Sequence, residues 1–236
     1  EFHDNQYIML KSESNEKRTA LARFIGYGIP LLPLENSRIA GWNINARNKE
    51  QSFAIDMLMN NGIEVVTLIG RAGSGKTLCA IAAGLEQVVG ANPRYTRLVV
   101  SRPVMPMGKD IGFLPGTLED KMAPWLAPIV DNLEFLTNND SKVIEKWKED
   151  GLIEVEALTY IRGRSISNAF IIIDEAQNLT MHEVKTILTR VGEGTKIVLT
   201  GDIEQIDNVY TDETSNGLTH VVEKFKDQQF AGHVTL

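Results

Sequence analysis

Residues 70 to 77 read Gly-Arg-Ala-Gly-Ser-Gly-Lys-Thr, a G-x-x-x-x-G-K-T run that follows the apolar stretch 65–69 and opens an Ala- and Leu-rich one. A glycine-rich turn between a buried strand and a helix curls the backbone until several N–H groups point inward, and the positive end of the helix dipole lies behind them. Phosphate oxygens fill such a nest. Gly70, Gly73 and Gly75 supply the turn, and Arg71, Ala72 and Ser74 complete its path. Lys76 is placed to reach the β and γ phosphates of a nucleotide, the Thr77 hydroxyl to ligate magnesium, and Leu78 carries the helix onward. A coincidental glycine-rich turn is the alternative, and the strand and helix flanks argue against it.

Strand and helix signals alternate on both sides of this loop. Short runs rich in Val, Ile and Leu at 65–69, 98–101, 170–174 and 197–200 read as strands buried on both faces. Helical periodicity predicts helices over 76–89, 118–136, 140–148 and 181–191. A further helix runs from Asn45, with Phe53, Ala54, Met57 and Leu58 at helical spacing and a stop at Asn61-Gly62. Alternation of this kind implies right-handed crossovers and an α/β fold with helices on both faces of a parallel sheet. Residues 1–45 differ in texture: Tyr7-Ile8-Met9-Leu10 reads as a short strand, and a Gly- and Pro-rich stretch runs from Gly28 to Leu34. They are expected to form a strand-rich arm or small subdomain ahead of a P-loop NTPase domain at 46–236. His233-Val234-Thr235 reads as a strand with no closing helix, so the domain is expected to be truncated at its C-terminal side.

Composition narrows the class. Of the 236 residues 43% are hydrophobic and 23% charged, as in ordinary globular domains, so neither disorder nor a disulfide scaffold is indicated. No apolar run approaches a bilayer span, the first sixteen residues lack the core of a signal peptide, and Cys79 is the single cysteine. A cytoplasmic protein without membrane contact is expected. Net charge is −7 and the sequence pI about 5.2, so any nucleic-acid contact is expected to be local. His3, His182, His220 and His233 show no metal-ligand spacing, and Cys79 is expected to pack on the loop helix.

Two further strands carry polar residues to the same sheet edge. Phe170-Ile171-Ile172-Ile173 ends in Asp174-Glu175, and in a parallel sheet that carboxyl edge is where ligands bind. Asp174 is the natural magnesium partner, directly or through water, and Glu175 is placed to polarise the water that attacks a γ-phosphate. A cap for the next helix is the alternative role for this pair taken alone. Ile197 to Thr200 leads into Gly201-Asp202 and then Gln205, whose amide can hydrogen-bond the γ-phosphate or its attacking water; a solvent-facing turn residue is the alternative. A small-molecule kinase would need an acceptor site, and no separate acceptor signature stands out.

Together, Gly70 to Thr77, Arg102-Pro103, Gly112-Phe113-Leu114-Pro115-Gly116, Arg162-Gly163-Arg164, Ile173-Asp174-Glu175-Ala176-Gln177-Asn178, and Gly201-Asp202 with Gln205-Ile206-Asp207 resemble the PhoH family of phosphate-starvation-inducible ATPases, related to the core of superfamily 1 helicases. The resemblance covers nearly everything from Asn45 onward. It implies a RecA-like sheet, ATP and Mg2+ as ligands, and the motor of an RNA-processing protein acting on single-stranded RNA. It also implies a homo-oligomer. Residues 1–45 look like the branch in which a PIN ribonuclease domain precedes the ATPase, with no nuclease-like carboxylate set before Asn45 in this chain. Gln51 matches the position that reads adenine in related helicases, with an ordinary exposed helix amide as the alternative. Arg102, Arg162 and Arg164 become candidates for contacting nucleotide or RNA phosphates or for acting across a subunit interface; as isolated arginines they would be solvated or structural. The irregular segment 105–116 is expected near the catalytic edge or a nucleic-acid channel, with a plain surface loop as the alternative. A nucleotide-gated interaction switch without strand movement is the competing function, and the acidic pI favours it.

Overall fold

The computed structural model describes residues 2–103, 118–161, 165–208 and 210–236, with the backbone alone for 118–121 and 160. The arm holds a three-stranded antiparallel sheet of β1 (Tyr7–Lys11), β2 (Thr19–Arg23) and β3 (Leu32–Pro33). A two-stranded ribbon of β4 (Arg38–Ile39) and β5 (Ile44–Asn45) leads into α1 (Lys49–Met59). The body then alternates as β6 (Val65–Ile69), α2 (Lys76–Val88), β7 (Arg97–Arg102), α3 (Leu118–Leu136), α4 (Ser141–Glu149), β8 (Ile153–Ala157), the single turn α5 (Leu158–Ile161), β9 (Ala169–Ile173), α6 (Met181–Leu188), β10 (Lys196–Gly201), α7 (Gly217–Phe225) and β11 (Ala231–Thr235).

Six of these strands form one sheet in the order β11-β6-β10-β9-β7-β8, every pair parallel. All five positions of β9 and all six of β10 are buried, which is why both read as continuous apolar runs rather than alternating ones. The period of two still sorts their side chains. Phe170, Ile172, Val198, Leu98 and Val100 join the core beneath α1 to α4, whereas Ile171, Ile173, Ile197, Leu199 and Val99 join the core beneath α6 and α7.

The expected strands all form, each within a residue of its sequence bounds except β11, which begins two residues earlier than expected, at Ala231. In the body β8, α5 and α7 went unread, as did β2, β4 and β5 of the arm; the helix expected from Asn45 begins at Lys49, and the one expected to reach residue 191 stops at Leu188. β8 is an edge strand that reads Ile-Glu-Val-Glu-Ala, and Glu154 Oε1 accepts from Arg97 Nη1 at 3.1 Å. α7 opens with a glycine behind its Asn216 cap, a sequence with the look of a turn. Cys79 is buried on α2, as expected.

The strand order fixes what the loops can do. Because β10 lies between β6 and β9, the loops leaving the carboxyl ends of these three strands are immediate neighbours, with β10 bonded to both. Those loops hold residues 70–75, 174–178 and 202–208.

The arm is fastened to the body through buried polar groups. Asp56 of α1, 3% exposed, accepts the Tyr7 hydroxyl at 2.8 Å and the N–H groups of Glu35 and Asn36 at 2.8 and 2.9 Å. Burial, reinforced by the Asp56 carboxylate, holds the Tyr7 phenol well above its ordinary range. Asn5 donates to the carbonyls of Gln229 and Ala231, both at 2.8 Å, and so ties the arm to the edge strand β11.

Lys196 fastens the other end of α1. It is 1% exposed at the start of β10, and its Nζ donates to the carbonyls of Met57, Leu58 and Asn60 at 3.0, 2.8 and 2.7 Å. These are orphan carbonyls at a helix C-terminus, where a cation is favoured. Burial, with the charge of Arg94 acting in the same direction, lowers the Lys196 ammonium to about 7. The folded-state value is depressed, so between about 7 and the ordinary 10.5 the unfolded chain holds a proton that the folded chain lacks. Stability from this group therefore rises with pH across that window. Lys196→Met should lower the unfolding free energy by about 1–3 kcal/mol near pH 7, because it strips partners from buried carbonyls. Urea titrations should show the gap to the unsubstituted chain widening towards pH 10, and a pH-independent gap would contradict this assignment.

Candidate functional site

The phosphate loop is set by its own backbone and by the loop that follows β10. Gly73 and Gly75 adopt φ of 80° and 87°, where a Cβ is disfavoured. Gly70 is needed for a different reason: a Cβ there would lie 2.8 Å from both the Leu236 carbonyl and Ser74 Oγ. Asp202 Oδ2 accepts the Ala72 N–H at 3.2 Å, the Gly201 carbonyl accepts from Gly70 N–H at 3.0 Å, and the Arg71 carbonyl accepts from Ser74 N–H at 3.1 Å. The front half of the loop is thus fixed by protein. Exposed Arg71 forms a two-pronged pair with Glu204, Nε to Oε2 at 3.0 Å and Nη2 to Oε1 at 3.2 Å.

The rear half is built to take an anion. Helix α2 starts at Lys76, and its first helical bond runs from Cys79 N–H to the Gly75 carbonyl at 2.9 Å, so the amides of its first turn have no acceptor within the helix. Lys76 is 8% exposed, with Nζ 3.3 Å from the Arg71 carbonyl, a long bond to the loop it serves. Ser74 Oγ is buried without a hydrogen-bond partner. Leu78 packs against the core beneath α1 to α4.

Asp174 stands directly across from Thr77. Its Oδ1 accepts the Thr77 hydroxyl at 2.8 Å and the Thr200 hydroxyl at 2.6 Å, and its own N–H donates to the Ser101 carbonyl at 2.8 Å. Strands β6, β10 and β9 therefore deliver three side chains to one point. A hydroxyl and a carboxylate are oxygen donors of the kind a hard cation such as magnesium takes, and they sit beside a cradle suited to phosphate. The residues present fit a magnesium–nucleotide complex.

Glu175 follows with a left-handed backbone, φ 55° and ψ 37°, an uncommon state for a residue with a Cβ. Both carboxylate oxygens are held: Arg102 Nη2 donates to Oε1 at 3.1 Å, and Gln177 Nε2 to Oε2 at 2.5 Å. Arg102 also donates to the Trp125 carbonyl of α3 at 3.3 Å. It thus touches the acidic pair itself.

Gln51 lies at the loop, with both ends of its amide engaged by protein. Its Oε1 accepts Arg47 N–H at 2.8 Å and its Nε2 donates to the Ser74 carbonyl at 2.9 Å, so it ties the first turn of α1 to the phosphate loop. Gln205 comes to the site through its backbone, its carbonyl accepting from Gln177 at 2.9 Å, while its side chain is exposed. Arg162, Arg164 and the segment 105–116 lie outside the described residues.

Sequence reasoning passed over three residues that build this site: Thr200, Asp202 and Gln177. Thr200 and Asp202 stand at the end of an apolar strand at the ligand edge, a signal available in the sequence. Gln177 has no local signal, because two of its three partners, Asp202 and Gln205, follow another strand. No group of three or more His, Cys, Asp or Glu able to hold a metal occurs among the described residues, and no described helix is long and apolar enough to cross a membrane. A cleft of about 320 Å³ between the arm, α7 and β11 is lined by His3, Thr67, Phe225 and His233 among others, and takes nothing from the phosphate loop or the acidic pair.

Comparison with known proteins agrees with the position of these motifs. The chain is 52% identical to protein PhoH2 of Bacillus subtilis, over 100% of this chain and 53% of that protein. It is 40% identical to PhoH2 of Thermobispora bispora, over 83% of this chain and 44% of that protein. The chain thus spans about half the length of these relatives. Among solved structures, the PRRSV helicase aligns with 100% of this chain and 42% of its own at 15% identity and a TM-score of 0.36, too remote to bear on activity. The model of the PhoH-like protein family matches residues 43–236, the stretch that carries the phosphate loop, the acidic strand and the loop after β10. A P-loop site on a parallel sheet, with this match and these identities, makes the chain a member of the PhoH family.

Proposed function

We propose that the chain binds ATP with magnesium and hydrolyses it by in-line attack of water on the γ-phosphate. The observation that carries this reading is the meeting of the Thr77 hydroxyl with the Asp174 carboxylate at 2.8 Å, in front of a free helix N-terminus and next to Glu175. In this reading the amides at the start of α2 hold the phosphate chain, and Lys76 exchanges its long bond to the Arg71 carbonyl for β and γ oxygens. Thr77 and Asp174 hold the metal, Asp174 through the hydroxyl bond or directly. Magnesium bound there supplies positive charge to the β and γ oxygens. Glu175 orients the attacking water and takes its proton, with its carboxylate plane set by Arg102 and Gln177. Gln205, whose side chain is exposed, turns inward to report the γ-phosphate to the rest of the fold, and Gln51, by its resemblance to the adenine-reading position of related helicases, exchanges one of its bonds to protein for the base.

The wider reading is an RNA motor: an ATPase that works on single-stranded RNA, as a cytoplasmic homo-oligomer, in a longer protein that carries a PIN ribonuclease domain. Arg102, Arg162 and Arg164 supply its phosphate contacts. A nucleotide-gated interaction switch is the second reading, favoured by the net charge of −7. Single-stranded RNA added to a steady-state ATPase assay separates them, since stimulation supports the motor and indifference the switch.

Glu175→Gln should retain nucleotide affinity and lose about a hundredfold or more in kcat. Unchanged steady-state hydrolysis would remove Glu175 from this role. Lys76→Ala should weaken ATP binding by about tenfold or more, roughly 1.4 kcal/mol, in calorimetric titration, and wild-type affinity would contradict the loop assignment.

A further inference from the structure

Directly behind Glu175, residues Ala176–Asn178 make one tight turn, and Gln177 within it is fully buried at 0% exposure. A buried primary amide has two N–H donors and one carbonyl oxygen to satisfy. Gln177 satisfies all of them. Nε2 donates to Glu175 Oε2 at 2.5 Å and to the Gln205 carbonyl at 2.9 Å, and Oε1 accepts the Asp202 N–H at 3.1 Å. Two partners only accept and the third only donates, so the amide cannot be turned around without losing every bond. Leu or Met would fill the same space without burying an amide, so the hydrogen bonds are what this position requires.

The partners belong to two different strands. Glu175 leaves β9, whereas Asp202 and Gln205 leave β10, and Asp202 reaches on to the Ala72 N–H of the phosphate loop at 3.2 Å. Asn178 reinforces the same junction: its Oδ1 accepts Asp207 N–H at 2.8 Å, and its carbonyl accepts Asn208 Nδ2 at 2.8 Å. The 202–205 segment is thus bonded directly to the Gln177 amide, and that amide to the Glu175 carboxylate, which Arg102 steadies from the other side.

We propose that Gln177 is a positioning residue that links the phosphate-facing loop after β10 to the orientation of Glu175. This rests on the ATPase reading above. A γ-phosphate that engages the 202–205 segment sets the carboxylate through this one side chain, which touches neither nucleotide nor water.

Two substitutions in the full chain test it, each with steady-state kcat, nucleotide Kd and a thermal melt, and each made both in the unsubstituted chain and in the Glu175→Gln background. Gln177→Met keeps the volume and removes the bonds: kcat should fall about tenfold or more, with Kd within about threefold. Gln177→Glu keeps an oxygen for the Asp202 N–H but replaces the donors to Glu175 and the Gln205 carbonyl, and should lower kcat by about tenfold or more as well. Because Gln177 acts through the Glu175 carboxylate, either substitution should cost less than about twofold in the Glu175→Gln background, whereas a purely structural role would cost the same factor in both. The proposal is overturned if both variants keep kcat within twofold, or if their cost is as large in the Glu175→Gln background as in the unsubstituted chain; should Gln177→Met not fold, the Gln177→Glu pair decides alone. Glu175→Gln assayed alongside keeps the two claims apart. If it turns over normally, or the unsubstituted chain does not hydrolyse ATP, the ATPase reading fails and this one with it. If it loses turnover while the Gln177 variants do not, only the positioning role fails.

Discussion

The site hangs on one hydrogen bond across the sheet, from the Thr77 hydroxyl to Asp174 Oδ1. That bond exists because β10 is inserted between the strand that leads into the phosphate loop and the strand that ends in the acidic pair, with Thr200 at its tip completing the contact from the middle. A sheet with β6 and β9 adjacent would place the loop and the carboxylates differently. The inserted strand also supplies the segment that holds the front of the phosphate loop, through Asp202, and the acidic turn, through Gln177. Three loop segments, each too short to fold alone, become rigid by bonding to one another.

Around this centre the polar groups are arranged to hold α1 in place. Its first turn reaches the phosphate loop through Gln51, its middle receives the arm through Asp56, and its last carbonyls are capped by buried Lys196. Asp56 and Lys196, both buried, would be costly to leave unpaired. The arm is therefore part of the scaffold of the P-loop body, since Tyr7 and residues 35–36 bond to the same carboxylate on α1.

Much of the fold was legible in the sequence because its strongest signals are local. The glycine and lysine spacing of 70–77 and the apolar strands 65–69, 98–101, 170–174 and 197–200 are set by what neighbouring residues need, so they can be read one window at a time. What escaped is set by distant partners. β8 carries glutamates at alternate positions because it is an edge strand, and α7 hides behind an Asn-Gly pair that also suits a turn. Lys196 has the look of a surface charge until the end of α1 is brought onto it. Of the site, the loop and the Asp174-Glu175 pair were readable as candidates, whereas Arg102, named by resemblance as a phosphate or interface contact, is found bonded to Glu175. Gln177 stood in a quoted motif without a role, since its purpose depends on Asp202 and Gln205, nearly thirty residues away in the chain.

In the proposed mechanism the phosphate loop and the acidic strand close on a single magnesium–triphosphate group. The most direct measurement is a crystal structure of this chain with magnesium and a non-hydrolysable ATP analogue. The metal is expected about 2.1 Å from Thr77 Oγ1, with Asp174 bound to it or to its water, and the phosphates on the amides that open α2. A nucleotide seated elsewhere, for instance in the cleft lined by His3, Phe225 and His233, or a metal out of reach of both Thr77 and Asp174, would contradict it.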